Sequence, residues 1–403
     1  MSCQKILAIC GSSGVIGSHP LDIDCWSGSS ARFFGEIQKR GVLFGAVGGE
    51  IPVWEKAFYA MLNVTTDKKL LARKTYMDPR YRNALSRVLN RKIQAQSFDL
   101  CDVVSIQLGS MYNLSDVLRP CALRTSYNDG NFCVSFQSPY FPKEISKQAI
   151  EATFRFEKRV LDGLDTIFTM SEYLKKSFIN DYGQPEEKVA CIGAGVNLDI
   201  DMRSLQNDPV AQKKYDTKQI LFIGVDFFRK GGETLVKAFH TVRKKYADAK
   251  LVIVGPHSLP VAYKNEPGIF YVGFLDKTTS EGNRILKRLF AESSLFVMPS
   301  LYEPFGIAPL EAMLHHLPCL VSDCWALPEI VPSGKHGELV EPGNETALAE
   351  KLIHLLGSPD LLYRYGATAR DWVLENFLWP KVVDRLEAFV NSKMLPVNTM
   401  DRI

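Results

Sequence analysis

Residues 295–316 read LFVMPSLYEPFGIAPLEAMLHH, and the stretch changes character twice. LFVMPS begins as a short apolar run of the buried-strand kind. A loop with an acid, a proline and a glycine follows, and PLEAMLHH then continues as a helix. Pro309 suits the first turn of that helix, where its missing N–H costs nothing. A strand that runs through one loop into a helix is the repeating unit of a parallel α/β sheet. Phe305, Gly306, Ile307 and Ala308 form the helix entrance, with amides that suit an anion such as a diphosphate. Gly306 lets the backbone come close to it. Glu303 stays on the loop, and Glu311 lies about one turn into the helix. One acid then reaches a reacting group, and the other a hydroxyl further along the same ligand. The plainer alternative makes Glu311 a capping-box acid at the third helical position and Glu303 a solvated loop residue.

The same alternation extends in both directions. KILAIC (5–10) reads as a strand closed by GSSG, and WSGSSARFFGEIQKRG (26–41) as a helix. Ser29 or Ser30 caps that helix, Ala31, Phe34 and Ile37 share a face, and Gly41 stops it. DVVSIQL (102–108), DTIFTMS (165–171) and KVACIGAGVN (188–197) are further strands. The polar stretch NDPVAQKKYDTKQ (207–219) breaks the pattern, which restarts with ILFIGV (220–225). GGETLVKAFHTVRKKY (231–246) sets Leu235, Phe239, Val242 and Tyr246 on one helical stripe. KLVIVGP, NRILKRLFAES, PCLVSD and GELVEP continue the series, and ETALAEKLIHLLG and KVVDRLEAFVNSK are the closing helices. Two α/β domains follow, 1–206 and 207–378, with a terminal helix over 379–403. In such sheets ligands bind beyond the carboxyl ends of the strands.

Composition agrees with a soluble globular chain. Its 403 residues exceed one ordinary core, and 46% are hydrophobic against 23% charged. A net charge of +3 gives no reason to expect nucleic acid. Nine cysteines without a CxxC pair read as reduced thiols in a cytosol-like compartment. The amino-terminal apolar stretch is too short for a signal peptide, and no run reaches the roughly 18 apolar residues of a membrane span.

PSLYEPFGIAPLEAMLHHLPCLVSDCWALPEIV (299–331) resembles the signature of the retaining glycosyltransferase family four, which has the GT-B fold. GELVEPGNETALAEKL and FLWPKVVDRLEAF match the segments that follow it there. FIGVDFFRKGGETLVKAF resembles the family's diphosphate loop, and TIFTMSEYLKKSFINDYGQPEEKVACIGAGVN the close of its first domain. The resemblance implies two Rossmann-like domains facing each other across a cleft. The first is the acceptor side, the second binds the nucleotide sugar, and the last helix crosses back to the first. It also implies that Glu303 approaches the transferred sugar, that Glu311 holds ribose hydroxyls, and that the amides of Phe305, Gly306 and Ile307 hold the donor. Lys230 matches the family lysine. The family arginine sits where this chain has Val225, so Arg229 is the substitute. The implied reaction is retaining transfer of a hexose from a UDP- or GDP-sugar to a hydroxyl of a glycan, a lipid-linked sugar or a small molecule. No metal or other cofactor is expected, because cations and helix N-termini neutralise the leaving diphosphate.

Several positions keep two readings. Arg229 and Lys230 are otherwise solvated loop charges. Phe274 and Leu275, in FYVGFLD, flank the base or pack in the core. Gly28 lets a phosphate approach the first helix or merely shapes its cap. In SYNDGNF, Asp129 is the candidate sugar-side acid, with Asn128 and Asn131 beside it, or the cluster is a turn. His315 and His316 do not share a helix face and read as structural. Residues 68–92 hold nine basic side chains against Asp78 alone. Leu85, Val88, Leu89 and Ile93 recur there at helical spacing, which suits an anionic membrane surface or a helix packed on its own domain. The expected location is cytoplasmic, or peripheral to a membrane. The rival functions are a nucleotide-sugar epimerase and a non-catalytic sugar-nucleotide binder. A dinucleotide oxidoreductase is disfavoured, because GSSGVIG lacks the GxGxxG spacing.

Overall fold

In the computed structural model, residues 5–11, 19–23, 25–198, 212–264 and 266–394 are described. They build two six-stranded sheets, parallel throughout. The chain divides into two compact units. One runs to Gln137 and takes in Phe141–Gly195 and the chain from Leu378, and the other holds Ser138–Tyr140 and Val196–Phe377. The boundary expected at 206/207 lies outside the described residues.

The strands of the first unit are β1 (Lys5–Gly11), β2 (Leu43–Gly49), β3 (Val103–Leu108), β4 (Leu123–Asn128), β5 (Thr166–Thr169) and β6 (Val189–Cys191), in the order β2-β1-β3-β4-β5-β6. Every residue of β3 is buried, as a central strand covered on both faces requires. The sequence reading passed over β2 and β4. LFGAVGG is rich in glycine and LRTSYN is polar, so neither reads as an apolar run. In β4 the polarity is absorbed by the sheet: Thr125 Oγ1 donates to Ser105 O at 2.8 Å.

Among the described residues, the helices that this unit forms before Gly195 are α1 (Ser29–Lys39), α2 (Val53–Leu62), α3 (Lys68–Met77), α4 (Pro79–Ala95), α5 (Phe132–Phe136), α6 (Lys147–Asp162) and α7 (Glu172–Asn180). The serine cap expected for α1 is not formed. Its N-cap is Gly28, left-handed at φ 90°, reached through a 3-10 turn over Cys25–Gly28. Ser30 Oγ instead donates to Pro20 O at 2.6 Å. The buried face contains Phe33 beside Phe34 and Ile37, and Gly41 follows the end at φ 73°. In α4, Leu85, Leu89 and Ile93 turn into the first unit's core. The apolar side of that basic helix therefore packs on its own domain.

The second unit contains β7 (Gln219–Ile223), β8 (Lys250–Val254), β9 (Ile269–Gly273), β10 (Leu295–Met298), β11 (Cys319–Ser322) and β12 (Gly337–Val340). Its order is β9-β8-β7-β10-β11-β12, so the winding reverses between β7 and β10. Such a reversal opens a crevice at the carboxyl ends of the two strands. Its helices are α8 (Gly232–Lys245), α9 (Val261–Lys264), α10 (Ser280–Glu292), α11 (Ile307–Leu314), α12 (Leu327–Ile330), α13 (Glu345–Leu356) and α14 (Pro359–Asn376). On α8, Leu235, Phe239 and Val242 enter the core, and Tyr246 packs against it. The sequence reading also missed α14, a helix with a proline start and a mixed polar sequence.

The last helix, α15 (Trp379–Met394), belongs to the first unit. Trp379 lies 6.0 Å from the Phe33 ring, and Arg40 bridges Asp384 and Glu387, each at 2.9 Å. Arg385 Nε donates to Ile192 O at 2.7 Å.

Candidate functional site

Three loops at the carboxyl edge of the second sheet carry the candidate residues. The loop from β7 to α8 holds Arg229 and Lys230, the loop from β10 to α11 holds Glu303, and the loop from β9 to α10 holds Phe274 and Leu275. The first two flank the reversal. Backbone contact locks them together: Leu301 N donates to Arg229 O at 2.9 Å. Gly231, at φ +74°, sits where an added Cβ would meet Pro299 O at 1.9 Å. Only glycine allows that approach.

Glu303 is buried, so it is not a solvated loop residue. Lys230 forms an ion pair with it, and Arg229 Nη1 lies 3.8 Å from its Oε2. Arg229 also donates to Tyr302 O at 2.9 Å and approaches Asp226 at 3.7 Å. Both cations therefore converge on the acid rather than extending into solvent. Burial pushes the Lys230 ammonium below the usual lysine range, while the Glu303 charge opposes that shift.

The helix entrance follows directly. Gly306 is the N-cap of α11 at φ 140° and ψ 82°, with no side-chain cap. Among the described residues, no acceptor takes the amides of Phe305, Gly306 or Ile307. These are the open N–H groups of a helix start, and they favour a bound anion. The side chain of Phe305 is buried, and Ile307 is half-buried.

Glu311 is the fifth residue of α11, which excludes the capping-box position. It is wholly buried. Its Oε2 pairs with Lys277, and its Oε1 has no hydrogen-bond partner. An ionised oxygen left so in a protein interior is costly, and a ligand hydroxyl would satisfy it. Lys277 was missed in the sequence. The signal available was its place in FLDKT, three residues past Phe274, but the pairing spans 34 residues of chain. Phe274 is exposed with its ring stacked on His257, centroids 4.8 Å apart, and Leu275 is half-buried. Core packing is therefore not the role of Phe274.

In the first unit, Gly28 and Asp129 come into one neighbourhood. Trp26, in the turn before α1, stands 6.1 Å from Tyr127 of β4, the strand that ends just before Asp129. Asp129 is exposed, just past the end of β4. Its neighbours are structural. Asn131 caps α5 and donates to Ser177 Oγ, while buried Asn128 donates to Phe168 O at 3.0 Å. His315 stacks on Phe290, and His316 contacts Arg370, as structural residues would.

Residues 205–372 match the family model of group 1 glycosyl transferases. A glycosyltransferase of Methanocaldococcus jannaschii, itself uncharacterised, is 29% identical over 54% of this chain and 57% of its own. A GDP-mannose-dependent alpha-(1-6)-phosphatidylinositol monomannoside mannosyltransferase of Mycobacterium tuberculosis is 27% identical over 58% of this chain and 64% of its own. The matches thus span less than two thirds of those relatives' length. Among solved structures, a sucrose-phosphate synthase from Thermosynechococcus elongatus superposes with a TM-score of 0.68 at 18% identity, covering 97% of this chain and 99% of that one. A glycosyltransferase from Rickettsia africae gives 0.62 at 17% identity, covering 98% and 100%. At such identities the likeness shows the fold, which is GT-B.

Proposed function

From the match of residues 205–372 to the group 1 glycosyl transferases, we propose that this chain is a retaining hexosyltransferase of that kind that uses a nucleoside diphosphate sugar. The observation that carries the reading is the buried Glu311 with its unpartnered oxygen, on the helix whose N-terminal amides stand open. The two features are one helical turn apart, as the ribose and the diphosphate of one nucleotide require. Supporting evidence comes from the relatives. One is named for GDP-mannose, and a structural neighbour, Anabaena HepE, is described in complex with UDP-glucose.

In this reading the diphosphate lies on the amides of Phe305, Gly306 and Ile307, and Glu311 accepts from the ribose. The base lies toward Phe274 and Leu275. Lys230 and Arg229 leave their pairing with Glu303 in part and stabilise the charge that grows on the leaving diphosphate. Glu303 is then free to meet the sugar. The C1–O bond to phosphate breaks as the acceptor oxygen bonds C1 on the same face, and the acceptor proton passes to the departing phosphate oxygen. With cations and amides in place, no metal is needed. The acceptor is a hydroxyl of a carbohydrate or glycolipid.

Incubation with UDP-, GDP- and ADP-hexoses, read by thermal shift and by release of nucleotide with and without acceptor sugars, tests the proposal. One nucleotide series should raise the melting temperature, and release should depend on acceptor and persist in EDTA. Failure of every nucleotide to bind would overturn the donor assignment. Conversion of the donor to its epimer without acceptor would replace transfer with isomerisation.

A further inference from the structure

Helix α2 turns the usual arrangement inside out. Of its ten residues only Tyr59 is buried. The polar members Glu55 and Lys56 face the protein: Glu55 meets Arg87 at 3.0 Å, and Lys56 pairs with Glu50. The outward side carries Val53 (81% exposed), Trp54 (73%), Phe58 (47%) and Met61 (68%), continued by Leu62 and by Val64 (78%) in the turn that follows. Trp54, Phe58 and Met61 fall at helical spacing on one stripe. A soluble surface rarely groups large apolar side chains in this way.

The next helix adds charge. Asp67 caps α3, so Lys68 and Lys69 occupy its first two positions, both exposed. Ammonium groups there oppose the helix dipole, a placement that local helix stability does not favour. Neither forms an ion pair among the described residues. Arg80, Arg91 and Lys92 on α4, which packs with α2 and α3, are also exposed.

The geometry points to α2 as an interfacial helix that seats the first unit on an anionic lipid surface. Trp54, Phe58 and Met61 enter the boundary between headgroups and acyl chains, and Lys68 and Lys69 meet the lipid phosphates. An apolar stripe with a tryptophan beside a basic cluster is the chemistry of such binding. A second copy of the chain fits less well. A helix of this length spans about 15 Å, and a stable dimer needs about 800 Å² from each partner. The facing copy would also bring its own lysines against these. The inference stands apart from the donor chemistry, since it uses no residue of the second unit.

Flotation of the full chain with vesicles of neutral phosphatidylcholine, and with vesicles that also contain phosphatidylglycerol, tests it. Binding should appear with the anionic vesicles. Trp54→Ser/Phe58→Ser/Met61→Ser should weaken it by more than about a hundredfold, and Lys68→Glu/Lys69→Glu by about thirtyfold or more. The side chains are exposed, so melting temperature and nucleotide binding should stay at wild-type levels in both variants. Absence of binding to anionic vesicles, or binding that both variants retain, would overturn the inference. A concentration-dependent dimer that the apolar variant abolishes would assign the surface to a second copy instead.

Discussion

Glu311 and Lys230 show how far single residues were legible. The spacing of the two acids around Gly306 suggested their placement, but spacing alone left the capping-box alternative open. The structure removes it, because α11 begins at Ile307 and puts Glu311 too deep to reach back to a cap. If the unpartnered oxygen accepts a ribose hydroxyl, Glu311→Gln should weaken nucleotide binding about ten- to a hundredfold, the worth of a hydrogen bond to a charged group. Isothermal titration checks this, with circular dichroism to show the fold intact. Unchanged affinity would remove the assignment. Lys230 gives a prediction in pH. Burial lowers its pKa, so it loses its proton below the usual lysine value of about 10.4. It must be charged to stabilise the leaving diphosphate, so kcat/KM, which reports the free enzyme, should fall as pH rises through that lowered value. Lys230→Arg should remove the alkaline limb, and Lys230→Ala should lower kcat about a hundredfold or more at neutral pH. Lys277 was not legible, since nothing local marks a lysine whose partner lies on another element.

Elements were readable where one kind of apolar periodicity ran long enough, as in α8, and hidden where tertiary partners did the work. β4 is such a case: Thr125 donates to Ser105 O of the neighbouring strand and Ser126 accepts from Asn128 within β4, so a polar sequence fills a buried position. The α1 cap failed for a related reason. Two serines suggested it, but the 3-10 turn ahead of the helix delivers Gly28 to the cap and turns Ser30 toward Pro20. The loop pair around the sheet reversal makes the clearest test at this scale. Gly231→Ala forces a left-handed alanine, which costs about 1–2 kcal/mol by itself, and drives its Cβ into the Pro299 carbonyl. Denaturant unfolding of the variant should show at least that loss. Nucleotide affinity should fall with it, because the displaced loop carries Lys230 on one side and leads to Glu303 on the other. A variant with wild-type stability and binding would mean that the contact between these loops is not needed.

At the scale of the molecule, the two halves were evident from the restart of the strand–helix alternation, and the return of α15 was expected only through the family resemblance. The composition of KVVDRLEAFVNSK says that a helix forms, not which sheet it joins. Its partners decide that, and they are Phe33, Arg40 and Ile192 in the first unit. Each unit has its own sheet and core, so unfolding need not be a single transition. Scanning calorimetry should resolve two. A ligand that binds only the folded form of one unit raises that unit's transition by mass action. The proposed donor residues Lys230, Glu303, Phe305 and Glu311 all belong to the second unit, so nucleotide should raise one transition and leave the other near its starting temperature. Arg40→Ala/Trp379→Ala should do the converse. It loosens α15 and lowers the first unit's transition, while the nucleotide-sensitive one stays in place. If nucleotide instead moved both transitions equally, the donor could not be held by the second unit alone. The assignment of the site to the loops after β7, β9 and β10 would then have to be extended to residues of the first sheet.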